Sequence, residues 1–253
     1  MVHGYTHHVE GLAMAGDVMI EMMTNDFIVW RCLHGGPLTR TSVDQPKPHP
    51  RVKWDQLRVR NIPLLSKLTD AYGACAVVAC DGDRIVGHVR FYPRVVVQMA
   101  AAGPGMCMQQ MFPDGPADGF VNNVFPPLEQ IADRTLFIHC LMTGSPHQAD
   151  NTYQRKGIGS RMVRTLIDWA RQQGWHAIEA NAYADLPCIY AVTGQAGRAF
   201  WEKLGFHLIE TGLEEAFAKD NDPFVQMLLK EASGCGIDAA TAKAKYTMRL
   251  GLI

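Results

Sequence analysis

Two glycines set two apart, where an amphipathic helix must begin, constrain this chain more than any other feature. In "YQRKGIGSRM" Gly157 and Gly159 stand behind Gln154, Arg155 and Lys156. Ahead of them Ile158, Met162, Val163, Leu166, Ile167 and Ala170 keep helical spacing, and Gly174 supplies a stop. Each glycine disfavours helix by about 0.5–1 kcal/mol relative to Ala, so something should compensate. A helix amino terminus leaves backbone N–H groups unpaired and carries partial positive charge. Residues without Cβ atoms there let an anion approach those groups closely. The stretch therefore reads as a phosphate cradle, with close helix–strand packing that needs no ligand as the plain alternative. Two other phosphate loops fail by inspection. A Walker loop needs Lys after its last glycine, where Ser160 stands, and a dinucleotide fingerprint needs a third glycine, where Met162 stands.

The flanking sequence places this helix in a mixed α/β chain. "ACAVVACDGDRIVGHVRFYP" (74–93) reads as a hairpin turning at Asp81-Gly82-Asp83, and "NIPLLSKLTDAYG" (61–73) as a helix with Pro63 in its first turn and Gly73 at its end. "RTLFIHCLMTG" (134–144), "WHAIEANAYA" (175–184), "HLIETG" (207–212) and "KYTMRLGLI" (245–253) read as strands, and "GRAFWEKLGF" (197–206) as a short helix. Residues 185–197 read as extended. Residues 1–45 resist placement, "DQPKPHPR" (44–51) reads as an extended connector, and 98–127 as a long loop or insertion.

Composition removes several classes. At 47 % hydrophobic and 19 % charged the chain reads as an ordinary soluble globular protein. A formal net charge of -1 gives no footprint for nucleic acid or an anionic membrane, and no apolar run approaches a membrane span. The amino terminus lacks a signal-peptide layout, and seven scattered cysteines argue against a disulfide framework or a zinc site. A cytoplasmic location is expected, with no metal; His3, His7 and His8 read as a terminal cluster rather than ligands.

"QRKGIG" resembles the Q/R-x-x-G-x-G/A signature of the GNAT superfamily of N-acetyltransferases, and "RAFWEKLGF" resembles that family's second hallmark, A-x-x-x-Y-x-K-x-G-F. A strand before the first motif and another between the two follow the family's order. The resemblance covers about residues 53–253, most securely 134–212. It implies an α/β fold of α+β type: a mixed, mostly antiparallel six- or seven-stranded V-shaped sheet with helices on both faces. Residues 1–52 would be an accessory segment packed on or flanking the core, and 53–253 the acyltransferase domain with a 98–133 insertion.

The resemblance also implies acetyl-CoA as cosubstrate. Gln154, Arg155, Lys156, Gly157, Ile158, Gly159 and Ser160 would bind its pyrophosphate. Leu141, Met142 and Thr143 would pair with the pantetheine arm like an added strand, with Trp201 at the pocket wall. An acceptor amine would attack the thioester directly, through a tetrahedral intermediate. Two positions depart from the family pattern: the second-motif tyrosine, often the proton donor to the departing thiolate, is Trp201, and an asparagine seven residues earlier is Gly194.

Substitutes stand nearby. Tyr190 is the leading candidate acid, and Cys188 a candidate acid or acyl-accepting nucleophile, each weighed against ordinary packing. His139 and Glu179, on strands expected to splay apart, are candidate bases, against a core histidine and a solvated carboxylate. Met99, Met106, Met108 and Met111 could line an acceptor site or bury themselves in their own loop. The acceptor would be a small-molecule amine or a protein amine, and a homodimer is left open. Two rival readings stay: a catalytically inactive coenzyme A-binding sensor, kept alive by Trp201, and a nucleotide-phosphate protein using the same glycines.

Overall fold

The structure, a computed structural model, describes residues 18–33, 36, 38–40, 54–101, 125–144, 152–193 and 195–253. Eight strands form one sheet: β1 (Met19–Met22), β2 (Leu38–Thr39), β3 (Ala76–Asp81), β4 (Arg84–Pro93), β5 (Thr135–Thr143), β6 (Ala177–Ala182), β7 (His207–Leu213) and β8 (Ala244–Gly251). Their order is β1-β3-β4-β5-β6-β8-β7, with β2 beside β4 off this path. Among the described strands only β5 and β6 run parallel. The sheet is the mixed, mostly antiparallel one expected. It exceeds six or seven strands because the two-residue β2 adds to a seven-strand path, and both β1 and β2 come from the amino-terminal segment.

The helix opening at the two glycines is α3 (Ile158–Gln172), after α1 (Trp54–Tyr72) and α2 (Arg94–Ala101). Its buried residues are Ile158, Met162, Val163, Leu166, Ile167 and Ala170, the apolar face read from spacing. It packs across β1, β3, β4 and β5. Helix α1 starts earlier than expected, so Pro63 lies inside it rather than in its first turn. The ring of Trp54, at the new start, packs edge-on against Trp30 at 6.3 Å, a tertiary contact that helps hold the added turns. Residues 185–197 are not extended throughout: α4 (Pro187–Thr193) forms there, before α5 (Arg198–Glu202). Residues 214–243 hold a 3-10 turn, α6 (Pro223–Gly234) and α7 (Ala239–Ala242). Asp222 caps α6 by accepting the N–H groups of Phe224 and Val225, ahead of Pro223.

One irregularity shapes the centre of the sheet. Arg90 lies opposite Cys140 and Phe91 opposite Ile138, so His139 is an extra residue bulging from β5. The parallel pairing of β5 with β6 ends at the same level, at Ile138 opposite Ala180. Beyond it β5 continues to Thr143 on β4 alone, while β6 continues to Ala182 on β8. A bulge bends its strand and increases local twist, which here parts the two central strands into a V. A main core fills the space beneath α1 and α3, and a satellite core of Tyr183, Leu186, Cys188, Ile189, Phe217, Val225 and Leu228 lies under α6.

Candidate active site

Gly157 is the amino-terminal cap of α3, with φ 76° and ψ 3°, in the left-handed region that glycine favours. A Cβ built there meets nothing within 4 Å, so conformation rather than space demands the glycine. Gly159 differs. Its φ is ordinary, and a Cβ would lie 3.5 Å from the Thr143 hydroxyl and 3.7 Å from the Phe200 ring, normal contact distances. The fold alone would accept alanine. Its bareness keeps open the space between the start of α3, the end of β5 and Phe200.

No side chain caps α3, and its first backbone bond is Arg161 N–H to the Gly157 carbonyl at 3.0 Å. Among the described residues the N–H groups of Ile158, Gly159 and Ser160 have no partner, which leaves donors and a positive dipole end facing outward. Arg155 and Lys156 are exposed beside them; Gln154, Gly159 and Ser160 are half-buried, and the Ile158 side chain belongs to the core. Arg155 has φ 58°, the single left-handed non-glycine among the described residues. Successive N–H groups in a turn of this kind form a concavity suited to anions.

Across the V, β5 presents polar backbone. Gly144 donates its N–H to the Val86 carbonyl, so by alternation Met142 and Cys140 bond toward β4, while Leu141 and Thr143 turn N–H and C=O into the gap. The main chain of Met142 therefore faces away from the gap. Two side chains reach across from the α4 side. The Tyr190 hydroxyl donates to the Thr143 carbonyl at 3.3 Å, and the Gln195 amide donates to the His139 carbonyl at 3.3 Å. Burial raises the Tyr190 pKa, which keeps the phenol protonated. Gln195 was missed in the sequence; its signal was an amide next to Gly194, where the family pattern carries asparagine.

The remaining candidates separate. His139 sits half-buried at the bulge, its ring 6.1 Å from that of Tyr92. Burial and the Arg90 guanidinium lower its pKa from 6.5 to about 3, so it is neutral and a poor proton acceptor at neutral pH. Glu179 is 2 % exposed and lies opposite Phe137, below the opening of the V. It is not solvated: Arg94 and Arg249 hold it at 2.9 and 2.6 Å. Cys188 is buried in the satellite core, its thiol pushed up to about 12 by burial and by Glu231. Trp201 is 1 % exposed, packed against Phe200 and Phe206 at 5.0 and 5.1 Å, and among the described residues its indole N–H has no hydrogen-bond partner. The structure thus gathers Gly159, Thr143, Phe200, Tyr190, Gln195 and His139 about the V, and leaves Cys188 and Glu179 apart from it. His3, His7, His8, Gly194, Met106, Met108, Met111, the 44–51 connector and the Met99 side chain lie outside the described residues. Among the described residues no group of His, Cys, Asp and Glu could hold a metal ion.

The chain was compared with known proteins. Among solved structures, a mosquito arylalkylamine N-acetyltransferase like 5b is 14 % identical, with 93 % of this chain and 100 % of that one covered at TM-score 0.45. An IAA acetyltransferase from Bacillus cereus is 11 % identical, with 93 % and 99 % covered at TM-score 0.41. A GNAT family acetyltransferase from Elizabethkingia anophelis, with acetyl-CoA bound, is 14 % identical, with 94 % and 99 % covered at TM-score 0.40. No curated protein matches. The family comparison is the decisive one: residues 40–206 match the acetyltransferase (GNAT) family, a span that holds the bulged β5, the parted strands and the glycine loop, and the chain belongs to that family.

Proposed function

We propose that the protein is an N-acetyltransferase that moves an acetyl group from acetyl-CoA to a primary amine by direct attack. The observation that carries this reading is the uncapped, glycine-bare start of α3 beside a strand whose backbone donors and acceptors face an open V. The two halves fit the two halves of coenzyme A. The N–H groups of Ile158, Gly159 and Ser160, with Arg155 and Lys156 beside them, suit a pyrophosphate, and the Gln154 side chain flanks that loop. The gap-facing backbone of Leu141 and Thr143 suits the amides of a pantetheine arm. Both halves are needed: a helix terminus contributes about 0.3–2 kcal/mol toward an anion, whereas micromolar binding requires about 8 kcal/mol.

When bound, acetyl-CoA supplies the activated acyl group, and the other tasks fall to the chain. Tyr190, protonated and already a donor inside the V, is the proposed acid for the departing thiolate. Gln195 steadies the bulged strand at His139. The amine attacks as its free base, and the proton it sheds on forming the amide passes to solvent, which also reprotonates Tyr190. His139 and Glu179 are assigned no part in it, since one is neutral with a strongly lowered pKa and the other is clamped by two guanidiniums. Cys188 is assigned to packing. Trp201 shapes the wall behind Phe200 rather than donating as a tyrosine would.

Calorimetric titration with acetyl-CoA tests the reading. Micromolar affinity is expected, at least tenfold weaker in Gly159→Asp, together with acceptor-dependent release of free coenzyme A on a panel of amines. Tyr190→Phe should lower turnover about a hundredfold with little change in affinity. Trp201 favours one second reading, a coenzyme A-binding module without turnover. Tight binding with no release of coenzyme A on any amine would select it.

A further inference from the structure

The loop that leads into α3 is held from outside. Tyr153, directly before Gln154, donates its hydroxyl to the Asp81 carboxylate at 2.7 Å. Asp81 is the last residue of β3, 72 residues away in sequence, and the Arg84 guanidinium lies over the Tyr153 ring at 5.9 Å. Asp81 and Arg84 face each other across the β3–β4 turn, so the tyrosine is gripped by both sides of one hairpin end. Burial and the bond to Asp81 raise the phenol pKa, which preserves the donor.

Such a grip answers a physical need. Residues 152–157 are turns without a backbone ladder, Arg155 holds a left-handed φ, and Arg155 and Lys156 place adjacent positive charges in the same turn. A left-handed non-glycine residue costs roughly 1–2 kcal/mol, and the two like charges add a repulsion, screened by solvent, that a bound anion relieves further. Without an anchor the ligand-free loop would relax, and binding would have to restore the order at the expense of affinity.

We propose that Tyr153 is a positioning residue for the cofactor loop: bonded to Asp81 and covered by Arg84, it pins residues 154–157 to the β3–β4 turn so that the N–H groups at the start of α3 are arranged before the pyrophosphate arrives. The inference rests on the acetyl-CoA reading above and adds to it a specific device of this chain, a hairpin that serves the phosphate half of the donor and not the acyl half.

The test uses the full chain, calorimetry with acetyl-CoA and with S-acetylpantetheine, and unfolding midpoints without ligand. Tyr153→Phe and Asp81→Ala should each weaken acetyl-CoA about tenfold relative to S-acetylpantetheine, which has no pyrophosphate. The double variant should be no weaker than either single one, because one bond is removed in all three. Asp81→Asn, whose amide oxygen still accepts the phenol, should recover most of the affinity. Equal loss on both donors, loss that tracks a fallen unfolding midpoint, or no loss at all would overturn the positioning role. A folded wild-type chain that binds no acetyl-CoA would instead fail the functional reading, and this inference with it.

Discussion

An alanine at position 157 would have to hold φ at 76°, where its Cβ meets its own backbone rather than any neighbour. An alanine at 159 would find normal contacts with Thr143 and Phe200 and an ordinary helical φ. Two substitutions of the same chemistry should therefore act on different quantities. Gly157→Ala is expected to destabilise the fold by about 1 kcal/mol, read as a lowered unfolding midpoint. Gly159→Ala should leave the midpoint level or slightly raised, since alanine favours a helical first turn, yet weaken acetyl-CoA severalfold by filling the cradle. If both variants moved only the midpoint, Gly159 would be a packing glycine. The two positions share one letter in the sequence; the division of labour depends on φ and on what stands across the gap.

Glu179 ties three elements together: its own β6, the start of α2 through Arg94, and β8 through Arg249. Removing one partner of a buried ion pair leaves the others uncompensated, but here both guanidiniums are 31–40 % exposed and can be rehydrated. Glu179→Ala is accordingly expected to cost about 2 kcal/mol of stability by chemical denaturation. Glu179→Gln should leave turnover nearly unchanged, whereas a large loss of turnover with acetyl-CoA affinity intact would show that this carboxylate takes the amine's proton. Neither arginine could be paired with Glu179 from spacing alone: Arg249, 70 residues away, is set opposite it by the β6–β8 register, and Arg94, 85 residues away, is delivered by the start of α2. Local elements were legible for the converse reason: α3 announces itself through helical spacing of apolar residues, and the β3–β4 hairpin and β5 through short apolar runs, the hairpin's about an Asp-Gly turn. Helix α4 was read as extended, since seven residues hold barely two turns and show no period, although Pro187 at its start was a usable sign. The glycine loop was legible because its chemistry lies in consecutive residues. Gln195 was not, because its meaning comes from reaching the His139 carbonyl 56 residues away.

At the scale of the molecule, the described part of the amino-terminal segment, expected to pack on or flank the core, supplies β1 and β2 to the sheet. β1 extends the sheet at β3, and Met23, Val29, Trp30, Leu33 and Leu38 are each at most 5 % exposed in the main core. Polar groups bind it as well. Buried Arg90 donates to the carbonyls of Val29 and Arg31 at 2.6 and 3.3 Å, Asn61 donates to the Trp30 carbonyl, and Arg31 donates to that of Gly36. Five large buried side chains at about 1.5–3 kcal/mol each sum to roughly 10 kcal/mol, the size of a whole domain's net stability. Deleting the segment would also leave the Arg90 guanidinium buried without the acceptors that hold it, opposite Cys140 and next to the bulge that opens the V. A chain beginning at residue 41 is therefore expected to show no cooperative thermal transition by circular dichroism and no acetyl-CoA binding. A separable accessory segment predicts the opposite: residues 53–253 would melt cooperatively by themselves and still bind the donor. The outcome decides whether the floor of the V is built by the matched family segment alone or also by the strands and buried side chains that precede it.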